Sequence, residues 1–316
     1  MFWPGRDEQM SAKPPHPSSP KTGLDLRVET IVSERLRCFA AVSPKSMGSA
    51  QLKYGGDGRI AWDQIWTHFC DLALAGGPPH RGRLLEPASP SEIANSAARY
   101  EAVIAEVIRG IELATDLKAS PSSDGWLAVQ CGSIGMASWL QRAIVCENVL
   151  AQQHLMSVLL PAGPSFVPEK EIKNVITALA KTTHEWQEHL SSTQREAIES
   201  LYRGNERELL EPSPRHESNG LSSVAISIAS ELRKLGCASD SERYPNWLGI
   251  RCGSDRAAGQ VVLRLVAGEI LARREDATAF IPLHRHFERK GIVDRIVAAA
   301  AEAISWVEER RRDCEA

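Results

Sequence analysis

No stretch of this chain stays apolar for the roughly 20 residues that a membrane-spanning helix needs, so a membrane partner is not expected. An excess of charge of one sign is also missing. The net charge is −3, too near neutral for a nucleic-acid surface to be the default expectation. Cysteine is sparse and odd in number, seven in 316 residues, which argues against a disulfide framework and for a reducing, cytoplasmic setting. The first residues lack the continuous apolar core of a secretory signal. Two nucleotide signatures are absent as well: there is no Gly-x-x-x-x-Gly-Lys and no Gly-x-Gly-x-x-Gly, so neither a phosphate loop nor a dinucleotide fingerprint is expected.

What the chain does have is a likeness to itself. Residues 126–166 align without a gap on residues 247–287 at a constant offset (247 − 126 = 121), and 11 of the 41 pairs are identical. Ordinary composition gives about two or three identities over such a length. The shared residues include Trp126-Leu127 with Trp247-Leu248 and Cys131-Gly132-Ser133 with Cys252-Gly253-Ser254. Upstream, Leu84-Leu85-Glu86-Pro87 returns as Leu209-Leu210-Glu211-Pro212, at an offset of 125 (209 − 84). Repetition of this kind marks a tandem array of one structural unit.

Hydrophobic content of 43% and charged content of 24% are those of a globular protein. Residues 1–22, rich in Pro, Ser and Lys, are expected to be disordered. The first unit is then assigned to residues 23–190 and the second, degenerate copy to 191–316. Within the first, the pattern predicts a helix from about residue 60 to a Gly-Gly-Pro-Pro stop, a short strand over 83–87 and a helix over 91–117. A loop over 120–124, a strand over 126–131, a helix over 134–147 and a hairpin from 149–152 and 158–161 follow, then a helix over 169–190. In that last helix Ile172, Ile176, Leu179, Thr183, Trp186 and Leu190 step by four and three, one buried face. Interleaved helices and strands predict an α/β or α+β fold, two similar layered halves packed together. A right-handed crossover between the first two strands and a ferredoxin-like sheet are both compatible with the pattern.

Polar residues present in one copy only are the freer ones to serve a site. The densest such group is His68, Cys70 and Asp71 followed by Gly76-Gly77-Pro78-Pro79-His80-Arg81-Gly82. A glycine turn can aim successive backbone N–H groups at an anion, Arg81 offers a planar fork, and His80 titrates near neutrality. His80, Cys70 and His68 are thus the candidate catalytic groups. Gly76, Gly77, Arg81 and His184 are the candidate groups for binding an anionic substrate. The plain alternative is a helix stop with a rigid turn.

His184 and His189 flank Trp186, and the second copy's last helix has no histidine. On an α-helix five residues turn about 140°, which sets the two rings apart and makes them poor ligands for one ion; no metal is assigned. Cys131 and Cys252 precede predicted helices, where the dipole lowers a thiol pKa. Ser133 and Ser254 at the same places suit helix N-caps. Trp126 and Trp247 are expected in the core, and His284-Arg285-His286 forms a basic cluster.

The chain is thus expected to be a cytoplasmic enzyme of small-molecule metabolism, binding its anionic substrate near the contact between the units. No cofactor is identified. A non-enzymatic interaction or assembly protein, with a protein partner or a second copy bound, is the runner-up. A metal-binding accessory protein is the third expectation.

Overall fold

The computed structural model describes residues 52–64, 84–203, 209–212, 222–234, 239–240, 244, 246–288 and 291–315. The described residues form eight helices and two antiparallel four-stranded sheets. In the N-terminal part, α1 (Pro90–Asn95) and α2 (Ala97–Thr115) precede β1 (Ala119–Pro121) and β2 (Trp126–Gln130). Next come α3 (Ile134–Cys146), β3 (Gln152–His154), β4 (Ser157–Pro161), α4 (Lys173–His184) and α5 (Ser192–Arg203). The C-terminal part has α6 (Ser222–Lys234), β5 (Ser239–Asp240), β6 (Trp247–Arg251), α7 (Asp255–Ala267), β7 (Arg273–Glu275), β8 (Thr278–Pro282) and α8 (Ile292–Glu315).

Both sheets have the same strand order, β1-β2-β4-β3 and β5-β6-β8-β7. Their registers match too: Trp126 pairs with Pro161 and Trp247 with Pro282. Even the left-handed backbone positions recur 121 residues apart, at Asn148 and Glu269, Leu155 and Asp276, Gly125 and Asn246. Mixed helix and sheet is therefore the class, but the strand plan differs from the expected one. The stretch over 83–87 supplies a single bridge, Leu85 to Val149, matched by Leu210 to Ile270. The first true strand is β1, where a loop was expected. Its Ser120 and Pro121 look like turn residues, yet they pair with Ala128 and Leu127. Among the described residues every strand pair is antiparallel, so they contain no βαβ crossover, and their order of elements is not ferredoxin-like.

The N-terminal sheet buries one face. Leu127, Val129, Val158 and Leu160 point inward from the N-terminal sheet, all fully buried, under α3, which lies over β3 and β4. Ser133 starts α3 as predicted, accepting from the Met136 N–H, and Ser254 does the same for α7 from Ala257. The capping box at Ser89 and Glu92 starts α1, joining two orphan amides reciprocally. The N-terminal residues 52–64 are fastened to α2 by Trp62, which is fully buried and donates its indole N–H to Glu106 at 2.7 Å. The helix expected from residue 60 is a short 3-10 turn at Trp62–Gln64, and its continuation lies outside the described residues. One continuous apolar cluster runs from Trp62 through both sheets to Ala303.

The helix expected over 169–190 is not uniformly α. Wide π-turns occupy Pro168–Ile172 and Glu185–His189 on either side of α4. The corresponding helix of the C-terminal part, α8, is one unbroken α-helix.

Candidate functional site

Of the candidate site residues, His68, Cys70, Gly76, Gly77, His80 and Arg81 lie outside the described residues. His184 is described. It sits at the end of α4, and the structure brings it to a neighbour that the α-helical expectation had sent away. The ring centroids of His184 and His189 are 5.0 Å apart with planes at 76°. The cause is the π-turn: Leu190 donates its N–H to the Glu185 carbonyl, five residues back, at 3.0 Å. A turn this wide swings residue i+5 back over residue i. Burial, with the His189 imidazole beside it, pushes the His184 pKa below its ordinary value, and the nearby Glu188 opposes this. Trp186 between them is buried and meets Trp139 of α3 at 5.8 Å.

The thiol at the start of α3 is not activated. Burial pushes Cys131 up to about 11, so it is a neutral thiol at physiological pH. The helix end that would have lowered it is occupied instead. The Glu199 carboxylate of α5 accepts from the Gly135 N–H at 3.2 Å and bonds the Ser133 hydroxyl. Gly135 permits this approach, since a Cβ there would lie 2.5 Å from the Glu199 carboxyl carbon and 2.8 Å from its Cα.

A buried polar network that the sequence did not disclose joins the two parts. Arg142 of α3 reaches Glu269 beyond α7 with Nε at 2.7 Å and Nη2 at 2.5 Å, and both side chains are nearly inaccessible to water. The guanidinium lies over the Tyr202 ring of α5 at 4.7 Å. Nearby, Lys181 of α4 meets Glu147 at 2.6 Å, also buried. Asn148, at the place matching Glu269, accepts the Arg274 N–H at 3.3 Å. Every one of these charges is matched by an opposite charge or a hydrogen bond, as buried charges require. The arrangement fastens elements together.

The outer faces of the two sheets differ most. On the C-terminal sheet this face is covered. Tyr244 packs edge-on against Phe280 at 5.2 Å and bonds Glu275, while Arg273 lies over the Tyr244 and Trp247 rings at 4.3 and 5.4 Å. Trp247, Gly249, Phe280 and Arg273 are all buried. The position matching Tyr244 in the N-terminal part (244 − 121 = 123) is Ser123, exposed. There Trp126, Ala128, Gln152, Ser157 and Leu159 are only half-buried, and Ser120, Gln130 and His154 are exposed. Trp126 is thus not the core residue it was expected to be, although Trp247 is.

The same asymmetry continues at the β3–β4 tip. Leu155 is 73% exposed and Met156 50% exposed, and Leu155 holds a left-handed backbone at φ 52°. The matching tip carries Asp276 and Ala277. Ile134, 39% exposed at the start of α3, is matched by Asp255.

His284 and His286 also lie close, with centroids 4.9 Å apart, and His284 meets Phe287 at 5.6 Å. Among the described residues no group of three or more His, Cys, Asp or Glu is placed to hold a metal ion. No helix of the described residues is long and apolar enough to cross a membrane. Compared with protein-family models, with curated proteins and with solved structures, the chain finds no match in any of the three.

Proposed function

We propose that the protein is a non-catalytic binding protein. The outer face of its N-terminal sheet, with the adjoining Leu155–Met156 tip, receives an apolar segment of a partner polypeptide. The observation that carries this is the missing lid: Tyr244 covers one sheet, and Ser123 leaves the matching face open. The open row formed by Ser120, Trp126, Ala128, Gln130, Gln152, His154, Ser157 and Leu159 contains no Asp, Glu, Lys or Arg. An uncharged row with an aromatic and aliphatic centre selects an uncharged, apolar occupant. Leucine in a left-handed, exposed position costs about 1–2 kcal/mol of backbone energy, a cost the matching Asp276 largely avoids. A contact made by that leucine accounts for its presence.

We further infer that the two parts are copies of one unit, residues 23–190 and 191–316, the second having become the supporting copy. The common strand order, registers and left-handed positions support this. A reducing, cytoplasmic location goes with the sparse and odd-numbered cysteines, seven in the chain.

A photo-crosslinking residue at position 159 or 155 tests the binding proposal in the native cell. The supporting result is capture of one partner at both positions, binding of the purified partner at 1:1, and loss of that binding in Leu159→Asp. Crosslinks confined to residues 1–51 of the same chain, or to a second copy, would overturn it. The anionic-substrate proposal for Gly76, Gly77, His80 and Arg81 is tested separately. If partner binding survives His80→Ala with Arg81→Ala, that loop is not the docking surface.

A further inference from the structure

We propose that His184 and His189 form a two-imidazole binding site for a late first-row transition metal ion, of the class that includes Zn2+. Two observations lead there, and neither depends on the docking face. The first is the backbone. A π-turn gives helix geometry poorer than the α form and persists chiefly where it does something. Here it places residues 184 and 189 on one side of the helix, which an α-turn cannot do. The unbroken α8 of the C-terminal part has neither the wide turn nor a histidine.

The second is the ring geometry. Two imidazoles ligating one tetrahedral Zn2+, with Zn–N of about 2.0–2.1 Å, have ring centres about 5 Å apart. The observed separation is 5.0 Å. Imidazole nitrogens suit Zn, Cu and Ni over Mg or Ca.

Because no third protein ligand converges among the described residues, the remaining positions on the ion would be filled by water. An ion with so many open positions is exchangeable, whereas closed four-ligand sites are structural.

The test is a calorimetric titration of the untagged full chain with ZnCl2 at neutral pH. One ion per chain is expected. Binding should weaken about tenfold or more in His189→Gln, an exposed position that leaves the fold intact, and likewise in His184→Gln. Circular dichroism checks folding of the second variant. His284→Gln with His286→Gln, and His68→Gln with His80→Gln, should bind as the parent does. Absence of saturable binding, or binding that is indifferent to His189→Gln, would overturn the proposal. So would binding abolished by either control pair.

Discussion

Arg142 grips Glu269 across 127 residues of chain (269 − 142) with two charge-assisted hydrogen bonds, at 2.7 and 2.5 Å, out of reach of solvent. Removing one partner strands the other in a medium that cannot solvate it. Arg142→Met alone or Glu269→Met alone is therefore expected to cost about 3–5 kcal/mol, whereas Arg142→Met with Glu269→Met should recover much of the loss. Urea denaturation of the three variants checks the order. If the double variant is as unstable as the singles combined, the pair is not acting as a unit.

Cys131 should be inert in the folded protein. With its pKa near 11, almost no thiolate exists at pH 8, and alkylation at this residue should wait for unfolding. Linkage gives the sign: the unfolded thiol ionises at lower pH than the folded one. Its contribution is intact below about pH 9 and is lost as pH rises towards 11. Mass spectrometry after iodoacetamide labelling, native against denatured, reads the first effect.

Gly135 lies where α3 and α5 approach closely. Gly135→Ala puts a Cβ against the Glu199 backbone, and helix propensity, which favours alanine, is outweighed. A net loss of about 1–3 kcal/mol is expected from the overpacking, seen as a lower Tm.

Glu106 ties the Trp62 segment to α2. Burial raises its pKa, but hydrogen bonds from Arg109 and Trp62 outweigh that and hold it below the ordinary carboxylate value. A depressed acid stabilises the fold above its unfolded pKa, and the benefit fades as pH falls through the folded one. Glu106→Gln should therefore lower stability at pH 7 and flatten its decline below about pH 4.5. An unchanged acid limb in the variant would contradict the assignment.

Leu155→Asn separates stability from binding. Asparagine tolerates the left-handed backbone better than leucine, so the variant should be more stable, by up to about 1 kcal/mol. Under the docking proposal it should bind the partner more weakly. A variant that gains stability and keeps full binding would remove the hairpin tip from the interface.

The likeness of the two parts was legible because identities such as Trp126 and Trp247 sit at matching strand starts, each paired with a proline. Caps at Ser133 and Ser254 were legible for the same reason. Three features were not. β1 is three residues long and carries Ser120 and Pro121, so its pairing with β2 overrides its turn-like composition. The π-turn at 185–189 was hidden by Trp186 and Leu190, four apart, which fit an α stripe equally well. The Arg142–Glu269 pair was invisible to any comparison of matching positions, since Arg142 corresponds to Leu263 (142 + 121). The two partners come from non-matching places in the two parts. As for the candidate site, only His184 of its proposed members lies among the described residues.

The wide turn at Pro168–Ile172 leaves an arithmetical trace. Phe166 and Phe287 stand 121 residues apart (287 − 166), but Ile176 and Ile296, both fully buried, stand 120 apart (296 − 176). The one-residue difference falls between Phe166 and Ile176, the span that holds this π-turn, and the buried residues on either side hold matching places in the two parts.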